Sequence, residues 1–163
     1  WVELGLQTIH EKTALKIRRG YPLSCFEQTV KELQKRNIPV IVHIILGLPG
    51  ESTKEVLETI EYLNALGIQG IKLQLLHILK DTDLAKELPT LSLLSEEEYI
   101  ALLLQCIAHL SPDIVIHRLT GDGPKKLLLA PLWSLHKRHV LNRIAHQLKK
   151  EQVYQGMDYQ KKK

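Results

Sequence analysis

The chain has 163 residues, 44% of them hydrophobic and 25% charged, with a formal net charge of +4. That size makes one domain with a real core, the balance excludes a disordered or collagen-like chain, and no apolar stretch approaches the length of a membrane span. The only two cysteines, Cys25 and Cys106, are far apart in sequence, which excludes paired metal-binding spacings and points to a reduced, cytoplasmic protein.

In chain order, Val2–Leu6 reads as a strand with no leader or cap before it, which suggests a piece of a longer chain. Thr8 with Glu11 and Ser24 with Glu27 have the spacing of capping boxes. They are expected to open helices carrying Ala14, Leu15 and Ile17, and then Phe26, Val30 and Leu33. Gly20 is expected to close the first of these. Val40–Leu46 is an apolar run that breaks into Gly47-Leu-Pro-Gly50. Two further capping boxes, Ser52 with Glu55 and Ser95 with Glu98, precede helical patterns on Val56, Leu57, Ile60 and Leu63, and on Tyr99, Leu102, Leu103 and Ile107. Gly67 is placed to end the third helix. Gly70–Leu76 and Ile114–His117 read as strands, followed by Leu127–Trp133 and a final helix from about Leu132 to Lys149. Residues 151–163 are polar and are expected to fray.

Strands alternating with helices imply βα units and a parallel sheet, and a strand as uniformly apolar as Val40–Leu46 is covered on both faces. Four such strands are too few to close a barrel, so either an open sheet or part of a barrel is expected.

In parallel α/β folds, chemistry collects at the carboxyl ends of the strands. The polar residues in that position are Glu3 and Gln7 on the first strand, His43 on the second, Gln74 and His77 on the third, and His117 and Arg118 on the fourth. The turn Thr120-Gly-Asp122-Gly-Pro124 follows. Three histidines with Asp122 allow a zinc-like site of a metal-dependent hydrolase, although His43 lies at a different depth from His77 and His117. A pocket for a polar small molecule is the other reading, with the glycine turn offering backbone groups. A third is a non-catalytic interaction module.

Several stretches together resemble the second half of a radical S-adenosylmethionine (SAM) domain. They are Val2-Glu-Leu-Gly-Leu-Gln-Thr8, Arg18-Arg-Gly20 and Ile44-Ile-Leu-Gly-Leu-Pro-Gly-Glu51. Leu76-His-Ile-Leu-Lys-Asp-Thr82, Ile116-His-Arg-Leu-Thr-Gly-Asp122 and Leu129-Ala-Pro-Leu-Trp133 follow. The closer resemblance is to the bacterial YhcC-like branch, related to the catalytic subunit of Elongator.

The resemblance implies an α/β fold, the second half of a partial (β/α)6 TIM-like barrel with flanking helices. Residues 1–150 would be the C-terminal portion of that half-barrel with its extension, and 151–163 a tail. It implies that Gln7 and Arg19 hold the ribose and carboxylate of SAM, with Glu3 near the ligand's amino group or a substrate. Leu46, Gly47, Leu48, Pro49 and Gly50 would flank the adenine. His43, Gln74, His77, Lys80, His117, Arg118 and Asp122 would face the substrate. The full-length enzyme would use SAM and a [4Fe–4S] cluster to generate a 5′-deoxyadenosyl radical, acting on a substrate such as a tRNA wobble uridine. The cluster-binding CxxxCxxC loop is not in this sequence, so no metal and no tightly bound cofactor are expected here, and the fragment is expected to be inactive and to self-associate through its open barrel edge.

Overall fold

Val40–Leu46 (β2) forms the strand its apolar run predicts, and its two faces have different tasks. Val40, Val42, Ile44 and Leu46 are buried in a core shared with four helices, whereas Ile41, His43 and Ile45 alternate onto the opposite, inner face. The computed structural model describes residues 1–121 and 123–160. Besides β2, its strands are β1 (Val2–Gln7), β3 (Gly70–Leu75), β4 (Ile78–Leu79), β5 (Val115–Arg118) and β6 (Leu128–Ala130). The helices are α1 (Glu11–Lys16), α2 (Leu23–Lys35), α3 (Thr53–Leu66), α4 (Asp83–Glu87), α5 (Glu96–His109) and α6 (Lys137–Lys150).

Four strands form one sheet in the order β1-β2-β3-β5, every pair parallel. Helices α2, α3, α5 and α6 supply Phe26, Val30, Val56, Ile60, Leu63, Leu103, Val140 and Ile144 to the core on its outer face. Each such fully buried aliphatic or aromatic side chain contributes about 1.5–3 kcal/mol. The inner face carries Glu3, Gly5, Ile41, His43, Ile45, Gly70, Lys72, Gln74 and His117, so polar side chains stand there among the branched aliphatic residues that usually fill a (β/α) barrel. A short antiparallel pair, β4 with β6, stands beyond the end of β3.

Two of the four expected capping boxes form. The Ser52 side chain accepts from Lys54 N at 3.2 Å while Glu55 accepts from Ser52 N at 2.8 Å, and Ser95 with Glu98 repeats the arrangement at 3.2 and 2.8 Å. Gly67, in the left-handed region at φ 71°, ends α3. The other two boxes are corrections. Thr8 is drawn away from α1, whose N-cap is His10, because its hydroxyl donates to Glu51 at 2.6 Å. Ser24 lies inside α2, which starts one residue earlier behind Pro22. We therefore expect Ser52→Ala and Ser95→Ala each to lose about 1 kcal/mol in denaturant unfolding, and Ser24→Ala to stay within about 0.5 kcal/mol.

The first and last helices also differ from expectation. Helix α1 stops at Lys16, before Gly20. Residues Leu132–Leu135 form a 3-10 turn and α6 begins only at Lys137, because Trp133 is turned in to stack near Tyr99 (centroids 5.6 Å) and to donate its indole N–H to Leu94 O at 3.2 Å. Residues 151–160, expected to fray, are held against α5. Gly156 N donates to Ile107 O at 3.2 Å, Asp158 N to Ala108 O at 2.8 Å, and Gln155 Nε2 to Ser111 O at 2.7 Å.

Candidate functional site

The carboxyl ends of β1, β2 and β3 open into a cleft of about 540 Å³. Gln7, Ile45, Leu48 and Leu76 form its floor, the chain from Ile17 to Tyr21 one wall, and Asp83, Leu84 and Glu87 of α4 the other. Arg18 and Asp83 form an ion pair from wall to wall.

The floor is built around a kink at Gln7, whose φ is +62° in a region that side chains seldom adopt. The kink folds the Gln7 amide back over Gly5, where a Cβ would stand 2.5 Å from Gln7 Nε2. Glycine at position 5 is therefore what gives the amide room. Arg19 holds the kink from outside. Its Nη1 donates to Leu6 O at 3.2 Å and to Thr8 O at 2.8 Å, the carbonyls on either side of Gln7. Its Nε donates to Tyr21 O at 2.9 Å and its Nη2 to Glu11 at 3.0 Å, so four of its five N–H donors are committed within the protein. The guanidinium also sits over the Tyr21 ring, 5.2 Å from its centroid, and is 1% exposed. Gln7 Oε1, in contrast, is buried with no partner among the described residues. A buried acceptor left open at a cleft floor is a vacancy for a ligand's donor.

The glycine turn after β2 has φ +84° at Gly47 and +90° at Gly50, which explains glycine at both positions. Of this turn only Leu48 lines the cleft; it packs with Leu76 and Ile78 in a small apolar cluster. Leu46, expected beside the adenine, is instead fully buried in the helix-covered core, because it falls on the outer face of β2. Glu51, which the sequence reading left out, ties the turn to the end of β1 through Thr8. Burial raises its carboxyl above the usual range, opposed by the hydrogen bonds from Thr8 and Thr13.

One layer below the cleft, on the inner face, Glu3 Oε2 accepts from Lys72 Nζ at 2.5 Å and pairs with His43 Nε2 at 2.8 Å. The hydrogen bond from Lys72, followed by that from His43, holds the Glu3 carboxyl down at about 2. Lys72 was missed in the sequence because a single lysine in an apolar strand reads as a solvated position; only the register, which sets Lys72 opposite His43, brings it to Glu3. A carboxyl whose pKa is lowered on folding stabilises the protein above its unfolded value of 4.5, and that stabilisation is lost as pH falls towards 2. We expect the Glu3 carboxyl to titrate near 2 by NMR and the Lys72→Met variant to move it upwards towards 4.5.

The remaining candidates are dispersed. Gln74 lies one pleat above Lys72, opposite Ile45. His117 rests over Gly70 at the lower end of the inner face, its ring 6.5 Å from that of Trp1. His77 is half-buried beyond the end of β3, under Gly121 and Gly123, and Lys80 is exposed after β4. Arg118 ends β5 half-buried, and Asp122 lies outside the described residues.

Among the described residues no three His, Cys, Asp or Glu side chains come together as a metal site, so the histidine constellation of the hydrolase reading does not assemble. The cysteines do not fit an iron–sulfur cluster: Cys25 is exposed on α2, while Cys106 is buried in α5, where desolvation pushes its thiol up to about 12. No helix among the described residues is long and apolar enough to cross a membrane.

Comparison with known proteins agrees with this architecture. Residues 1–63 match the Radical SAM superfamily and residues 68–150 the Radical_SAM C-terminal domain. The chain is 42% identical over 163 residues to YtqA of Bacillus subtilis, covering 99% of this chain and 51% of YtqA. It is 40% identical over 135 residues to YhcC of Escherichia coli K12, covering 82% of this chain and 44% of YhcC. It thus spans about half the length of these relatives. Among solved structures, the archaeal Methanocaldococcus infernus Elp3 with an N-terminal deletion (1–46) superposes with a TM-score of 0.81 at 16% identity, over 94% of this chain and 37% of that one. That likeness is one of fold, and it makes the parallel sheet part of a TIM-like barrel. The chain belongs to the radical SAM superfamily, in its YhcC-like branch.

Proposed function

We propose that this chain forms the C-terminal part of the catalytic barrel of a radical SAM enzyme, and that the cleft at the ends of β1–β3 takes S-adenosylmethionine. The observation that carries the reading is Gln7 Oε1, buried without a partner among the described residues on a side chain that lines the cleft. A ribose hydroxyl supplies the donor it lacks. Ile45, Leu48 and Leu76 give the base an apolar surface. Arg18, exposed and among the described residues paired with Asp83 across the cleft mouth, is the guanidinium available to a carboxylate, whereas Arg19 fixes the backbone around Gln7.

Reduced at a [4Fe–4S] cluster, S-adenosylmethionine supplies hydrogen-atom abstraction from a substrate. The cysteines for that cluster belong to the part of the protein that this chain does not span, and the fragment alone is inactive on this reading. The substrate we propose is RNA, a tRNA wobble uridine among the options. The charge of +4 and the exposed lysines Lys125, Lys126, Lys149 and Lys150 support it. β1 and β5 are the edge strands of the sheet, which supports self-association of the isolated chain.

The full-length protein with its cluster reconstituted should convert S-adenosylmethionine to 5′-deoxyadenosine and methionine under reduction. No cleavage from protein with a verified cluster would sink the proposal.

A further inference from the structure

The inner face of the sheet holds a second polar arrangement that the cleft does not use. His43 is the one polar side chain on that face of β2, between Ile41 and Ile45. Its Nε2 meets Glu3 Oε2 at 2.8 Å, and Glu3 is in turn gripped by Lys72, whose side chain is 14% exposed. The bond from Lys72 and that from His43 keep Glu3 ionised far below neutral pH, so at neutral pH its carboxylate only accepts. The proton in the His43–Glu3 bond therefore belongs to the imidazole. A neutral His43 must carry it on Nε2, which leaves the Nδ1 lone pair bare. Nδ1 has no partner among the described residues, and the side chain is 26% exposed on the open face.

We propose that Glu3 and His43 form a proton-accepting dyad on the barrel's inner face, in which His43 Nδ1 takes a proton from an N–H or O–H group of the bound substrate. Lys72 is a positioning residue that fixes the charge and place of Glu3. The substrate's X–H bond breaks, its electron pair stays on X, and the proton passes to Nδ1. The resulting imidazolium lies between the Glu3 carboxylate and the new anion, and nothing is oxidised or reduced. Glu3 serves the dyad as an acidic orienter serves a histidine base, holding one tautomer and stabilising the cation. The other titratable groups beside this face are His117 and Arg118 on β5. Arg118 and Lys72 are cationic side chains here, and their charge favours an anion forming on this face.

This assignment rests on the reading that a substrate enters the inner face. Its test needs neither the cluster nor S-adenosylmethionine, so its failure is distinct from failure of the cleft proposal. Long-range proton–nitrogen NMR on the full-length protein, ¹⁵N-labelled at histidine, should show neutral His43 protonated at Nε2, with a slowly exchanging proton resonance that is lost in Glu3→Ala. Treatment with diethyl pyrocarbonate followed by peptide mapping should label His43 in the wild type, where the bare Nδ1 is accessible. A proton on Nδ1, an Nε2 proton that persists unchanged in Glu3→Ala, or a His43 protected from the reagent would each overturn the dyad. If Glu3→Ala does not fold, the wild-type tautomer and labelling still decide.

Discussion

Replacing Arg19 by alanine should lower stability by about 2–3 kcal/mol, through lost packing and one buried carbonyl left without its donor. The guanidinium is 1% exposed and donates to three carbonyls and one carboxylate. Its removal leaves a cavity and takes the donor from the part-buried Thr8 O, a loss of about 1–3 kcal/mol, whereas Leu6 O still accepts from Thr8 N and Tyr21 O is exposed to water. Thr8 O and Leu6 O flank Gln7, so the kink at Gln7 loses its clamp as well. Lysine carries a point charge with no planar fork and cannot span these partners, so Arg19→Lys should recover less than half of the loss. Thermal unfolding reads both, with a drop of roughly 5–10 °C for alanine. An Arg19→Ala protein as stable as the wild type would show that the guanidinium is not the clamp described.

Gln7→Ala should do the reverse. Stability should change by less than about 1 kcal/mol, because the variant removes a buried acceptor that has no partner. S-adenosylmethionine should bind about ten- to a hundredfold more weakly to the full-length protein, the loss of one or two directional hydrogen bonds. Gly5→Ala should act in the same direction, since a Cβ at 2.5 Å from Gln7 Nε2 evicts the amide while the strand remains. Isothermal titration measures the binding and denaturant unfolding the stability. Undiminished affinity in both variants would remove Gln7 from the pocket. Together the two predictions separate a residue that shapes the site from one that touches the ligand.

The strand ends showed in the sequence where the cleft would be, because a parallel sheet always opens there, but they did not show which side chains enter it. Leu46 and Leu48 are two residues apart in one motif, yet one is core and the other is cleft floor. The strand ends between them and Gly47 turns the chain. Arg18 and Arg19 are neighbours whose sequence context favours neither. The chain's positive φ at Arg18 and the carbonyls of β1 direct one side chain to solvent and the other inward.

Local chemistry was enough where one signal stood uncontested. The apolar run Val40–Leu46 makes β2 with the bounds it suggests, and Ser52-x-x-Glu55 and Ser95-x-x-Glu98 start α3 and α5. The same spacing at Thr8 and Ser24 misled, because a capping box needs its hydroxyl and carboxylate to have no better partner. Thr8 found Glu51, 43 residues away, and Glu11 found Arg19 and the Leu23 amide. By itself, then, the sequence determined a parallel α/β half-barrel, its family and the end of the sheet where the cleft opens. These depend on hydrophobic period and turn chemistry, which act over a few residues. Only the tertiary structure decided that Arg19 is a backbone clamp, that Gln7 holds an open acceptor, and that Lys72 joins Glu3 and His43. The Glu3–Lys72 contact joins residues 69 apart through strand register, whereas the Arg19 clamp depends on how the loop after α1 returns to the end of β1.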